Sequence, residues 1–229
     1  MTRPTPMMSR ILRILAASSV LACAHTPDFR PAPGAAGVAG EPRAAQAVAA
    51  GVRVVVNEKP WQGEPSNLPD LVTPLQVTLI NDSDAPVPIR YRDFTLATEN
   101  GVRVSALPPL HIQRPGAQIV AVRPLFPSEG FYLFGPYAAF YPGFPLWTGP
   151  FDSDLAWYDS TYQWQPSLPT PDMLQKALPE GVLLHGGRVT GYLYFNRVQG
   201  KGRVDFHARF LEPGTGRTVA EVDIPLTFG

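Results

Sequence analysis

From Thr73 to Pro108 apolar and polar residues alternate in short runs. Leu75, Val77 and Leu79 are separated by Gln76 and Thr78, the period of two that turns one face of a strand inward. Asn81 to Asp84 interrupts the run with four short polar side chains that bond their own backbone, the mark of a turn. Val87, Ile89 and Tyr91 resume the alternation, with Arg90 and Arg92 on the polar side, and Phe94 and Leu96 continue it inward. Pro86 and Pro88 each lack a backbone donor, so this strand is expected at a sheet edge. Asn100-Gly101 predicts a hairpin with positive φ at both turn positions, and Val102, Val104 and Ala106 form its return strand.

The same alternation recurs at 52–56, 189–196, 203–210 and 222–228. With 75–80, 87–97 and 102–107 it predicts a mainly β chain, an immunoglobulin-like antiparallel β-sandwich of about seven strands. One short helix is expected. Thr170 caps it, Pro171 suits its first position, Asp172 favours its positive end, and Pro179 stops it. Its apolar face is Leu174, Ala177 and Leu178.

Two segments lack the period. Residues 111–170 form an insert rich in aromatics, Pro and Gly. Fourteen of the chain's 24 aromatic residues fall between Phe126 and Trp164, too many for a disordered loop. They predict either a cap packed on the sandwich or an exposed surface, for which Phe131, Tyr137, Phe140, Tyr141, Trp147 and Trp157 are the candidates. Residues 24–50 are small side chains with Pro and Gly, predicting a flexible tether with at most a helical turn at Ala44–Ala50. The expected organisation is therefore a leader at 1–22, Cys23 and tether at 23–50, and a β domain at 51–229.

The leader carries Arg3, Arg10 and Arg13 before an apolar stretch from Ile11 to Ala22, too short to span a bilayer permanently. It ends in Val20-Leu21-Ala22-Cys23, which resembles the lipobox of bacterial lipoproteins, where the cysteine is acylated and the leader cut before it. Cys23 is the chain's only cysteine, so it has no disulfide partner. The lipobox implies lipidation at Cys23, and Ala24 after it implies sorting to the outer membrane of the bacterial cell envelope. Proline at 27 residues and charged residues at 17% suit loop-rich β structure. Without the leader, 16 basic residues face 19 acidic ones, and no basic run remains. That balance excludes the electrostatic footprint of a nucleic-acid binder.

Pro60-Trp61, Thr73-Pro74-Leu75, Asn81 to Asp84, Tyr91-Arg92-Asp93-Phe94, Ala106-Leu107-Pro108-Pro109 and Gly187-Arg188-Val189-Thr190-Gly191-Tyr192 form a further pattern. It resembles a group of bacterial envelope lipoproteins with no assigned activity. The resemblance covers about residues 52–110 and 180–228. It implies a single immunoglobulin-like domain on a lipid anchor, and no chemistry.

Candidate chemistry is sparse. His111, His185 and His207 lie far apart, without the local spacing of a zinc site. His207 falls on the polar side of its strand between Asp205 and Arg209, which reads as a solvated face. His185-Gly186-Gly187 lacks the nucleophile elbow of an esterase and reads as a turn. Asn81, Asp82 and Asp84, or Asp152 and Asp154, supply oxygens but no recognisable calcium loop. No catalytic residue, metal site or cofactor is predicted. The expected role is a non-enzymatic interaction or structural one, with the membrane as partner through Cys23 and another envelope protein or glycan as further partner. The alternatives are a hydrolase of cell-wall or lipid substrates using Asp152, Asp154 or His111, and an aromatic insert contacting membrane or glycan.

Overall fold

The computed structural model describes residues 29–112, 129–135, 141, 143–149, 169–199, 201–212 and 215–229. These form an antiparallel sheet of twelve strands that curls into a near-barrel. The strands are β1 (Phe29–Pro31), β2 (Ala36–Val38), β3 (Glu41–Ala49), β4 (Val52–Asn57), β5 (Val72–Asn81) and β6 (Val87–Ile89). They continue as β7 (Phe94–Thr98), β8 (Arg103–Leu107), β9 (Glu129–Leu133), β10 (Gly181–Asn196), β11 (Gly202–Leu211) and β12 (Thr218–Phe228). Two short helices, α1 (Leu68–Leu71) and α2 (Pro171–Lys176), lie between them. The count exceeds the seven expected because β1, β2, β3 and β9 arise where no alternation was visible and β6 separates from β7.

The path through the sheet is β1-β12-β11-β7-β8-β10-β5-β4-β3-β2. Its two halves meet at β8 and β10, where Leu107 faces Tyr194 and Ala106 faces Phe195. β10 is the spine. Residues Arg188–Asn196 pair with β5, while Gly181–Leu183 pair with β6 on one side and β9 on the other. Inward residues of both halves share one cluster, in which Phe94 packs edge-on against Phe210 at 5.8 Å and tilted against Phe206 at 6.1 Å. Aromatic pairs in such geometry add to the gain from burial itself.

The expectation of a tether at 23–50 is corrected over the described part. β3 pairs with β4 from Ala44↔Asn57 to Ala49↔Val52, and Ala44 and Ala45 are buried. The segment has few large side chains to bury, but its backbone completes a hydrogen-bonded ladder, and its small residues let β3 lie close over the core. Low apolar content does not make a segment flexible when a neighbouring strand offers a partner. β1 behaves likewise, Phe29 being buried against Phe228 with ring centroids 5.0 Å apart. The two ends of the path, β1 and β2, are each three residues long and carry Pro31 and Gly37. Short, proline- or glycine-bearing edges discourage pairing with other chains.

Three further expectations are refined. The strand expected at 87–97 breaks at a 3-10 turn over Tyr91–Asp93, leaving β6 with β10 as its partner, an edge position that accommodates Pro88. The hairpin at Asn100-Gly101 forms, but positive φ occurs at Gly101 and not at Asn100. Gly101 N–H donates to Thr98 O at 2.9 Å, a tight turn closed by a left-handed glycine. The helix follows expectation, since the Thr170 hydroxyl accepts from Met173 N at 3.3 Å.

Candidate functional site

Of the six aromatic candidates, Phe131 and Tyr141 are buried side chains of the main core, and Trp147 is partly buried against it. β9 carries Phe131 inward beside Gly181, and Phe144 meets it edge-on at 5.8 Å. Trp147 meets Tyr132 edge-on at 6.0 Å. Tyr137, Phe140 and Trp157 lie outside the described residues, as do Cys23, Asp152 and Asp154. Where the insert is described, its aromatics are therefore core rather than an open face. His111 ends a 3-10 turn at Pro109–His111.

The titratable groups singled out above do not converge. His207 Nδ1 meets the Asp223 carboxylate across the β11–β12 pair, and His185 Nδ1 lies 2.8 Å from Ser83 O on another connection. Asn81 supplies no cage for a cation. Its Nδ2 donates to Ala85 O at 2.8 Å and Leu183 O at 2.9 Å, while its Oδ1 accepts from Ser83 N at 3.0 Å. This buried amide ties the β5–β6 turn to β10. Among the described residues no group of three or more His, Cys, Asp or Glu is arranged to hold a metal ion.

Two polar constellations were not legible in the sequence. The first is charged and buried. Arg90, expected on the polar side, is buried, as are Asp93 and Glu180. Glu180 Oε1 accepts from Tyr91 N at 2.6 Å, and Arg90 Nη1 lies 3.5 Å from Leu211 O. Arg90 is still extended, and β6 before it is buried on both sides, Pro88 included, so the side of the strand that carries Arg90 is covered too, which alternation alone cannot forecast. Arg90 and Glu180 have no exposed surface, and Asp93 keeps 6%. They join the 3-10 turn to the start of β10 and the end of β11.

The second constellation surrounds Trp61. Trp61, Leu68, Val72, Met173, Ala177, Tyr192 and Tyr194 form a small cluster apart from the main core. Trp61 Nε1 lies 3.0 Å from both Gly63 O and Pro65 O, and its ring meets Tyr192 and Tyr194 edge-on. Lys176 Nζ sits 5.0 Å from the Trp61 ring centroid and also donates to Gln62 O. Asp172 Oδ2 accepts from Glu64 N at 2.9 Å, and the Thr170 hydroxyl donates to Glu64 O. The Tyr194 and Tyr141 hydroxyls donate to Met173 O and Leu174 O at 2.8 and 2.9 Å. Burial pushes both tyrosine hydroxyls well above their usual range. The residues around 60–65 and α2 are thus clamped together over the outer side of β10.

No protein-family model, curated protein or solved structure matches this chain. Among the described residues no helix is long and apolar enough to cross a membrane, which says nothing about spanning by strands.

Proposed function

We propose that this is a lipid-anchored protein of the bacterial cell envelope, held at the outer membrane, whose β domain has a non-enzymatic structural or interaction role. The observation that carries the reading is Val20-Leu21-Ala22-Cys23 at the end of an arginine-led apolar leader, with no second cysteine in the chain. A cysteine acylated on sulfur and on its new amino group holds a domain stably, where a single acyl chain binds only marginally. For the domain, the support is a chain whose described polar groups are spent on holding strands and turns together. With Phe131 and Tyr141 in the core, an interaction role falls to other surfaces. We also keep the immunoglobulin-like description for β4, β5, β7, β8, β10, β11 and β12, whose antiparallel pairing and alternating burial suit it.

The test is metabolic labelling with an alkyne-bearing fatty acid, followed by membrane fractionation. The wild-type protein takes up label and sediments with outer membranes. Cys23→Ser loses the label and leaves the membrane fraction. Label retained in Cys23→Ser, or none in the wild type, ends the proposal.

A further inference from the structure

Phe29 is the first described residue, and five residues separate it from Cys23. Six Cα–Cα steps reach at most about 20 Å. An anchor at Cys23 therefore holds the domain close to the bilayer by the end from which β1 starts. Strand register identifies that end. Phe29 faces Phe228, Phe228 faces Gly202, and Thr98 at the mouth of the β7–β8 hairpin faces Val204. Across β8 and β10 the same end holds Asn196, which faces Val72 next to α1.

Of the described large apolar side chains, Val102 and Leu71, 55% and 57% exposed, both lie at this end, on the hairpin and on α1. Arg103, Arg197, Lys201 and Arg203 are exposed there too. Arg203 bonds Asp205 at 2.8 Å, and Glu99 is the acid of the hairpin. The opposite end carries Asp82 and Asp84 in the β5–β6 turn, with Val48 and Leu146 at 58% and 46% exposure and Arg188 and Arg217 exposed, so the short chain to Cys23 is what distinguishes the two ends. The length of β5 separates the two ends by about 30 Å.

We propose that the end bearing Val102, Leu71, Arg103 and Lys201 lies against the anionic phospholipid surface of the membrane that holds Cys23. The two apolar side chains enter the headgroup region, and the cations meet lipid phosphates. The opposite end then faces away from the membrane. This orientation rests on the lipid-anchor reading of Cys23. The short chain to Cys23 selects this end, and its apolar tips and cations are of a kind that a phospholipid surface accepts.

Because acylation consumes Cys23, a second cysteine can be labelled alone. The full lipoprotein, carrying Val102→Cys or Val48→Cys with an environment-sensitive fluorophore, is reconstituted into vesicles of phosphatidylglycerol and phosphatidylethanolamine containing brominated lipid. Mass spectrometry first establishes the acyl groups, and their absence overturns the anchor itself. With the anchor present, the expected result is quenching at position 102 and none at 48. Quenching at 48 instead, or at neither position, overturns the orientation while leaving the anchor intact. Replacing phosphatidylglycerol by neutral lipid is expected to reduce quenching at 102. Unchanged quenching overturns the part assigned to the basic residues.

Discussion

The main core and the small cluster around Trp61 lie on opposite sides of β10 and are held by different means. Inside the barrel, Phe94, Phe206 and Phe210 meet other apolar side chains from both halves of the sheet, and burial alone explains their order. On the outer side, Trp61, Tyr192 and Tyr194 are aromatic rings whose polar atoms each reach a backbone carbonyl. The contrast shows two routes to a fixed geometry. Area removed from water is non-directional and tolerates approximate shape, whereas directed bonds specify where a loop and a short helix must sit.

The largest way to break this comparison is to empty the barrel. Phe206→Ala should cost about 3–5 kcal/mol, because a fully buried ring between facing strands leaves a cavity that the sheet cannot close. Denaturant unfolding measures it, and a loss as small as that of a surface substitution would mean the two halves do not share a core. Next comes the seam between the regions. A β-carbon at Gly191 would lie 2.5 Å from Leu178 Cα and 2.6 Å from the Ala177 carbonyl carbon. Gly191→Ala should therefore cost about 1–3 kcal/mol through overpacking and lift the segment after α2 off β10. Hydrogen exchange at Leu178 N–H, which bonds Tyr192 O at 2.9 Å, reports that movement.

Tyr194→Phe sharpens the outer side. It removes a buried donor to Met173 O and should cost about 1 kcal/mol at neutral pH. Its second effect is on alkaline stability. The folded state holds the hydroxyls of Tyr194 and Tyr141 protonated beyond the point, near pH 10, at which an unfolded tyrosine ionises. The unfolded state then binds fewer protons than the folded one, so stability is complete below about pH 10 and falls as pH rises above it. Tyr194→Phe should make that alkaline decline shallower, and an unchanged slope would contradict the burial. The smallest expected effect is Lys176→Met, about 0.5–1 kcal/mol from the lost contact over Trp61, visible as earlier exchange in α2.

Seven strands of the sheet were legible in the sequence, its curling into a near-barrel was not, and the outer cluster was legible only in fragments. Alternation placed β4, β5, β7, β8, β10, β11 and β12 because half-buried strands must alternate. The cap, Pro171 and Pro179 placed α2 for equally local reasons. β3 was missed because Ala44 and Ala45 carry almost no hydrophobic signal, and their order comes from a ladder with β4. Arg90 was misplaced because β6 is buried on both sides, and nothing in Val87-Pro88-Ile89-Arg90 announces that the second side is covered. The bonds from Thr170 and Asp172 to Glu64 span 106 and 108 positions, a relation no local pattern encodes. α2 could be read alone, but not its meeting with Trp61.

The pairing of β1 with β12 has a consequence for the order of events during synthesis. The Thr227 hydroxyl reaches Arg30 O across 197 positions, and β1 has its place in the sheet only beside β12. Among the described residues the first strand to be made thus waits for the last. Until β12 arrives, β11 presents an unpaired edge, and the apolar row of Val204, Phe206, Ala208 and Phe210 lacks its neighbours Val222 and Ile224. Such distant pairings make closure slow compared with hairpin formation. The incomplete sheet, with its apolar row uncovered and an edge unpaired, is then the species most open to misassembly.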